Sequence, residues 1–86
     1  MGVYPIEVTR ASIEGEVIYV NGENFTPWSE VNINGELVET YFINENLLIV
    51  PEQNITAGTK IKVSQITVTG WKLSSTKTYQ VTEEDL

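Results

Sequence analysis

Apolar and polar residues alternate with a period of two along almost the whole chain. Runs such as "EVIYV" (16–20) and "GTKIKVSQITVTG" (58–70) are rich in Val, Ile, Thr and Tyr and are bounded by Gly, Asn or Pro. Successive side chains of a β-strand point to opposite faces, so this pattern indicates strands with one buried face. No apolar pattern of period 3.6 is sustained over the ten or more residues that a helix needs. The sequence therefore predicts an all-β fold without helices.

The spacing of these runs predicts the architecture. Asn34-Gly35 is the dipeptide that a tight type I′ hairpin requires. About seven short strands at intervals of roughly ten residues indicate a Greek-key β-sandwich of the immunoglobulin-like kind. In the fifth strand the alternation leaves open whether Leu47 and Ile49 or Leu48 and Val50 face the core. The predicted strands cover residues 6–10, 16–20, 29–33, 36–40, 46–50, 58–70 and 75–81.

The long predicted strand changes parity along its length. Ile61 and Val63 share one face, whereas Ile66 and Val68 fall on the other. One extra residue near Ser64-Gln65 restores the register, so we predict a β-bulge there. The alternative is a strand that twists out of the sandwich as a two-sided ribbon.

Composition excludes much of enzyme chemistry. The 86 residues contain neither cysteine nor histidine, and 12 acids against 5 bases give a net charge of −7. The chain thus lacks a thiolate nucleophile and the commonest general base, and it has no phosphate-binding glycine loop. We expect no enzyme activity and no cofactor. The negative charge disfavours nucleic-acid binding, and without an apolar run of 18 residues we expect no membrane insertion.

Two further motifs resemble functional sites, but we interpret both as structural features. Glu14, Glu16 and Glu23 offer oxygen ligands for calcium, but no D-x-D-x-D spacing supports a site, so we expect a solvated face and no bound metal. Asn24 and Asn54 each begin an N-x-T glycosylation sequon. We expect these two residues to form turns through Asx-type hydrogen bonds instead.

The order of these elements carries a family resemblance. "VIYVNGENFTPWSEVNINGE", then "LLIVPEQNITAGTKIKV" and finally "TKTYQV" resemble the IPT/TIG domain, an immunoglobulin-like β-sandwich. The resemblance spans about residues 6–82, and it departs from the family pattern at "RASIEGE" and in the length of the strand 58–70. The length of 86 residues predicts one domain over residues 1–86, and since no signal-peptide pattern is present we expect it to be a fragment of a larger protein. The matching positions are Val20, Gly22, Asn24, Phe25, Val31, Ile33, Gly35, Pro51, Ala57-Gly58-Thr59, Ile61, Val63 and Tyr79.

Several of these positions are predicted to be structural. Gly22 and Gly35 are expected to supply backbone freedom at corners. Phe25 is expected to place its ring under the loop as a core plug, and Asn24 to tie down the backbone. Pro51, Gly58 and Tyr79 complete the structural set.

The resemblance implies a non-catalytic accessory module, acting as a spacer or a protein-interaction domain. Its expected setting is a bacterial cell-surface or secreted multidomain protein, with a cytoplasmic location as the alternative. The expected partners are neighbouring domains of the parent protein or another protein. One expected parent is an envelope enzyme of the sulfatase/phosphoglycerol-transferase kind, and another is a polysaccharide-processing enzyme. The main alternative function is a carbohydrate-binding module, while a DNA-contacting immunoglobulin-like domain is disfavoured by the charge.

The candidate interaction site consists of the two tryptophans. Trp28 follows the second predicted strand, and Trp71 lies at the turn that joins the last two. These two loops leave an immunoglobulin-type sandwich at the same end. The two rings are therefore predicted to form a platform for a sugar ring or a neighbouring domain. In the other reading, one or both rings fold back and cap the core.

Overall fold

The fold is all-β, as predicted. The structure is a computed structural model that describes residues 5–51, 55–66, 72–75 and 77–86. These ranges contain nine strands and one 3-10 turn at Glu83–Asp85, which corrects the expectation of no helical residue. The strands are β1 Glu7–Glu14, β2 Val17–Glu23, β3 Glu30–Ile33, β4 Glu36–Leu37, β5 Tyr41–Asn44, β6 Leu47–Val50, β7 Lys60–Ile66, β8 Lys72–Ser74 and β9 Tyr79–Gln80.

The strands form two antiparallel sheets. One sheet has the order β1-β2-β6-β5, and the other has the order β4-β3-β7-β8, with β9 also paired to β7. This is the arrangement of an immunoglobulin-like sandwich, with one additional edge strand, β4, beside β3. The chain leaves β4 and enters β5 through residues 38–40, so that it changes sheet along one side of the sandwich.

The core lies between the inner faces that the alternation predicts. The register pairs Ile18 with Val50 and Val20 with Leu48, and all four side chains are buried. This pairing settles the question that the alternation left open, because Leu48 and Val50 face the core. The buried apolar residues of the described ranges are Ile6, Ala11, Ile18, Val20, Phe25, Val31, Leu48, Val50, Ile61, Val63 and Val81.

The predicted bulge at Ser64-Gln65 is wrong, because β7 pairs with β3 and β8 without a register shift over its described length. The irregularity lies in the opposite strand. Ser64 pairs with Ser74 and Ile61 with Tyr79, so two positions three residues apart in β7 pair with two positions five residues apart in the opposite segment. The alternative prediction was a two-sided ribbon at the end of this strand. Its residues 67–70, which include Val68, lie outside the described ranges.

The Asn34-Gly35 hairpin joins β3 and β4 as predicted. Asn34 has a φ of 51° and Gly35 a φ of 90°, and a type I′ turn needs a positive φ at both positions. The Asn34 N–H donates to the Lys60 carbonyl at 2.9 Å, and the Lys60 N–H donates to Asn34 Oδ1 at 3.0 Å. The turn is therefore fixed to the adjacent strand β7 as well as to its own hairpin.

Candidate interaction surface

The loop that carries Trp28 is held by a polar network. The Thr26 N–H donates to Ser29 Oγ, and the Ser29 N–H donates to the Thr26 carbonyl, both at 2.9 Å. The hydroxyls of Thr26 and Ser29 donate to Gln65 Oε1 on β7 at 2.7 and 2.9 Å. These bonds close a four-residue turn and attach it to the sheet. Trp28 itself is 65% exposed, so its ring does not cap the core.

The segment between β4 and β5 is fixed in a similar way. The Val38 N–H donates to the Val31 carbonyl at 3.0 Å, and the Val31 N–H donates to Thr40 Oγ1 at 2.9 Å. Residues 38–40 therefore run beside β3 with their backbone attached to it. A groove of about 360 Å³ lies between this segment and the tryptophan loop, and its lining includes Trp28, Val38, Glu39 and Thr40.

Most of the large exposed apolar side chains belong to these two segments of the chain or to the strands next to them. Six large apolar residues are exposed in the described ranges, and only Leu86 lies elsewhere in the chain. The other five belong to the tryptophan loop or to the continuous segment 37–43. We call this group the Trp28 surface; it consists of Trp28, Leu37, Tyr41, Phe42 and Ile43.

Acidic residues surround the Trp28 surface. Glu36 lies on β4, Glu39 lines the groove, and Glu45 follows β5 directly. The Tyr41 hydroxyl donates a hydrogen bond to Glu39 Oε1. The sequence has no lysine or arginine between Arg10 and Lys60, so no base of this segment offsets these carboxylates. An apolar centre with an acidic rim favours an apolar partner whose own rim is basic.

The sequence signalled only part of this surface. Trp28 was a predicted site residue, and Trp71 lies outside the described residues, as does Asn54. The apolar residues of β5 were missed because no strand was predicted over residues 41–44. The signal that could have found them is the turn-forming sequence Asn44-Glu45-Asn46 between two apolar runs.

Asn24 and Phe25 begin the β2–β3 loop. Phe25 is only 3% exposed and belongs to the core cluster. Asn24 has a φ of 66°, and its Nδ2 donates to the Pro5 carbonyl at 2.6 Å. The asparagine thus connects the end of β2 to the residues that precede β1.

The predicted reason for Gly22 is wrong. Gly22 lies within β2, and its φ is not positive. A Cβ atom built at this position would lie 1.9 Å from the Glu7 carbonyl oxygen and 2.6 Å from Phe25 Cζ. The glycine is therefore needed because β1 and the phenylalanine ring approach its Cα closely, and backbone freedom plays no part.

Pro51 and Gly58 bound the long connection from β6 to β7. Pro51 directly follows β6 and is half-buried. The Gly58 N–H donates to the Val81 carbonyl at 2.8 Å, and the Val81 N–H donates to the Thr59 carbonyl at the same distance. The turn before β7 is thereby attached to the end of the chain.

Tyr79 connects β9 to the C-terminal turn. Its hydroxyl donates to Asp85 Oδ2 at 2.6 Å. Burial, followed by this hydrogen bond, raises the pKa of Tyr79. Hydrogen bonds from the Thr82 backbone N–H and then from Tyr79 lower the pKa of Asp85. The pair stabilises the side of the sandwich where the C-terminal turn contacts β1.

A second concavity, of about 510 Å³, lies on the outer face of the β3–β7–β8 sheet. Its lining includes Lys60, Lys62, Ser64 and Ser74, and Asn32 Nδ2 donates to Ser64 Oγ at 3.0 Å. The serine hydroxyl has no histidine to activate it, since the chain contains none. The lining is that of a polar sheet face.

The described residues contain no cluster of three or more His, Cys, Asp or Glu side chains that could hold a metal ion, and this includes the region of Glu14, Glu16 and Glu23. Within the same residues, no helix has the length and apolar content needed to cross a membrane.

These features define a small immunoglobulin-like sandwich whose most distinctive exposed feature is an apolar side. Comparison with family models matches the IPT/TIG domain over residues 2–82, and the chain therefore belongs to the IPT/TIG family. Domains of this family are generally non-catalytic modules that mediate protein–protein interaction or act as spacers. Neither curated proteins nor solved structures give a significant match to the chain.

Proposed function

We propose that this chain is a non-catalytic accessory module that binds a neighbouring domain or another protein through the Trp28 surface. The observation that carries this proposal is that five of the six large exposed apolar residues of the described ranges belong to the tryptophan loop or to the segment 37–43, and that Trp28 lines a groove with residues 38–40 of that segment. Scattered exposed apolar residues need no explanation, whereas a group of them marks an interaction site.

The rigidity of the surface supports the same function. Gln65 accepts hydrogen bonds from both ends of the tryptophan turn, and β3 fixes the segment 38–40. A partner that binds here does not have to order two loops, and this lowers the entropic cost of association. Tryptophan and tyrosine are also the side chains that most often dominate binding energy at interfaces.

The setting that we propose is a bacterial cell-surface or secreted multidomain protein. There the module is an appendage of an envelope enzyme or a polysaccharide-processing enzyme. This part of the proposal rests on analogy with the family, which the chain shares over residues 2–82.

Carbohydrate binding is the second candidate, and the exposure of Trp28 beside a groove favours it. A sugar ring stacks on an aromatic face, and carboxylates at the groove, those of Glu30 and Glu39, can accept hydrogen bonds from its hydroxyl groups. The two candidates need the same tryptophan and differ in the ligand.

The test is to titrate the purified module with two ligands: the adjoining domain of its full-length protein, and cell-wall polysaccharide. Trp28→Ala and Trp71→Ala are compared with the wild type, and Leu86→Ala is the control for an exposed apolar residue outside the surface. We expect Trp28→Ala to weaken binding of the adjoining domain at least about tenfold, as loss of a major interface residue does. Its melting temperature should stay within about 3 °C of the wild type, because the ring is mostly exposed.

The other outcomes assign the function differently. Binding of the polysaccharide alone, with the same sensitivity to Trp28→Ala, establishes the carbohydrate-binding function in place of the proposed one. A large thermal loss in Trp28→Ala means that the ring is structural. Unchanged binding and stability in both tryptophan variants contradict the role of these residues.

A further inference from the structure

The strand β5 is an edge of the sandwich with an unusual composition. It pairs with β6 on one side, and no other described strand pairs with it. All four of its side chains are exposed, and Phe42 and Ile43 are among them. An edge strand directs alternate N–H and C=O groups away from its sheet, and another chain can pair with them.

The remaining edges carry features that oppose such pairing. β1 carries Glu7 and Arg10 and contacts the C-terminal turn. β4 has only two residues, and the edge formed by β8 and β9 is interrupted between Ser74 and Tyr79. By contrast, β5 has no charged side chain. Its one irregularity is a register shift between Phe42 and Asn44, which limits the pairing it can offer to a short segment.

Charge identifies the kind of chain that fits this edge. Glu39 precedes β5 by two residues and Glu45 follows it directly, and no base lies within the segment 11–59. A second copy would bring the same carboxylates together, and each copy has a net charge of −7. Self-pairing is therefore disfavoured, whereas an extended segment with basic ends is attracted.

We propose that β5 binds an extended segment of another protein or domain by strand addition, and that this segment has alternating apolar residues between flanking lysines or arginines. The inference rests on the proposed function of a protein-interaction module, and it adds the binding edge and the chemistry of the partner. Main-chain hydrogen bonds to β5 supply affinity in this mode, and side chains next to the edge supply specificity.

The experiment uses three synthetic peptides and the ¹⁵N-labelled module, observed by NMR. The first peptide, Lys-Lys-Thr-Val-Thr-Val-Thr-Lys-Lys, has the proposed pattern. The second replaces its lysines with glutamates, and the third carries N-methyl groups on alternate amides of the first. We expect the first to shift the amide signals of β5 and to protect them from exchange. The other two should bind at least about tenfold more weakly.

Variants test the same edge from the side of the module. Ile43→Lys places a positive charge on β5 and should weaken binding of the first peptide at least about tenfold. Leu86→Lys makes the same chemical change at an exposed residue away from the Trp28 surface, and it should bind like the wild type. Ile43→Thr, which keeps the β-branched side chain, replaces Ile43→Lys if the lysine variant has a lowered melting temperature.

Three results overturn the inference. The first is equal binding of the N-methylated peptide, and the second is a set of NMR signal changes confined to other strands. The third is a dimer in sedimentation equilibrium whose β5 amides are protected from exchange in NMR. Its failure is distinguishable from failure of the proposed function. If the adjoining domain binds and its signal changes lie outside β5, the interaction module stands and strand addition is refuted. If the peptide binds at β5 but no protein binds in a manner sensitive to Trp28→Ala, strand addition stands and the role of Trp28 in the proposed function is refuted.

Discussion

Gly22→Ala tests whether close backbone packing at β1 and β2 governs the stability of the domain. The added Cβ would lie 1.9 Å from the Glu7 carbonyl oxygen, and that oxygen belongs to the backbone. A carbon and a carbonyl oxygen approach to no closer than about 3.3 Å even in the weak C–H···O contacts between strands. The two strands must therefore separate by about 1.4 Å at this point if the side chain is to fit.

The cost follows from what this separation disrupts. Gly22 pairs with Val8, and its own N–H donates to the Asn46 carbonyl at 3.0 Å. Overpacking costs about 1–3 kcal/mol, and each weakened hydrogen bond adds about 1 kcal/mol. We expect a loss of about 3 kcal/mol or more. For a domain of this size, the melting temperature should then fall by about 12 °C or more.

Gly15→Ala is the matched control. Gly15 has a φ of 62°, and a Cβ at this position meets no atom within 4 Å, so the substitution should cost only about 1–2 kcal/mol of backbone strain. The double variant Gly22→Ala/Phe25→Leu should remain unstable, because shortening the ring relieves the contact with Cζ but not the contact with the Glu7 oxygen. Urea unfolding and thermal melts measure all of these variants. A Gly22→Ala variant that melts within about 3 °C of the wild type, or that is more stable than Gly15→Ala, refutes the reasoning.

Three further predictions concern single side chains. Phe25→Ala should lower the melting temperature by more than about 10 °C, because removing a buried ring costs about 3–5 kcal/mol; a change of a degree or two would contradict its role as a core plug. Ser75→Ala removes the hydroxyl that accepts the buried Val63 N–H at 3.1 Å, so urea unfolding should show a loss of about 1–3 kcal/mol, and an unchanged midpoint would refute it. Asp85 has a lowered pKa in the folded state, so its carboxylate contributes stability above the ordinary value of 3.8 that is lost as the pH falls through the folded value. The difference in melting temperature between the wild type and Asp85→Asn should therefore shrink as the pH falls below 3.8, and a difference independent of pH would contradict this account.

Period-two alternation predicted the faces of the sandwich because burial alone decides them. Ile61 and Val63 were predicted from their spacing to share one face, and both are fully buried. The Asn34-Gly35 turn was predictable for a related reason, since few residue pairs tolerate positive φ twice in succession. Features of this kind depend on local sequence and on one buried face.

Features that depend on a distant partner were not predictable in the same way. The parity change in β7 suggested a bulge in that strand, yet the extra residues lie opposite it, beyond Ser74. Gly22 resembled a turn glycine because asparagine residues flank it closely, but the cause is the Glu7 backbone fifteen residues earlier. The sequence shows that a position needs a small residue, and only the packing shows which atom requires it.

The acidic rim and the apolar edge belong to one physical arrangement. An apolar edge strand without charge is a hazard for aggregation, and protecting charges usually lie on the strand itself. Here they lie just outside it, at Glu39 and Glu45. At about 3.3 Å per residue, both are within about 7 Å of the ends of β5, which is inside the screening length of about 8 Å at physiological salt. Their field therefore acts at the moment of contact, where it opposes a second copy and favours a basic segment. Because the carboxylates are outside the strand, β5 keeps an apolar surface for a partner that carries the opposite charge.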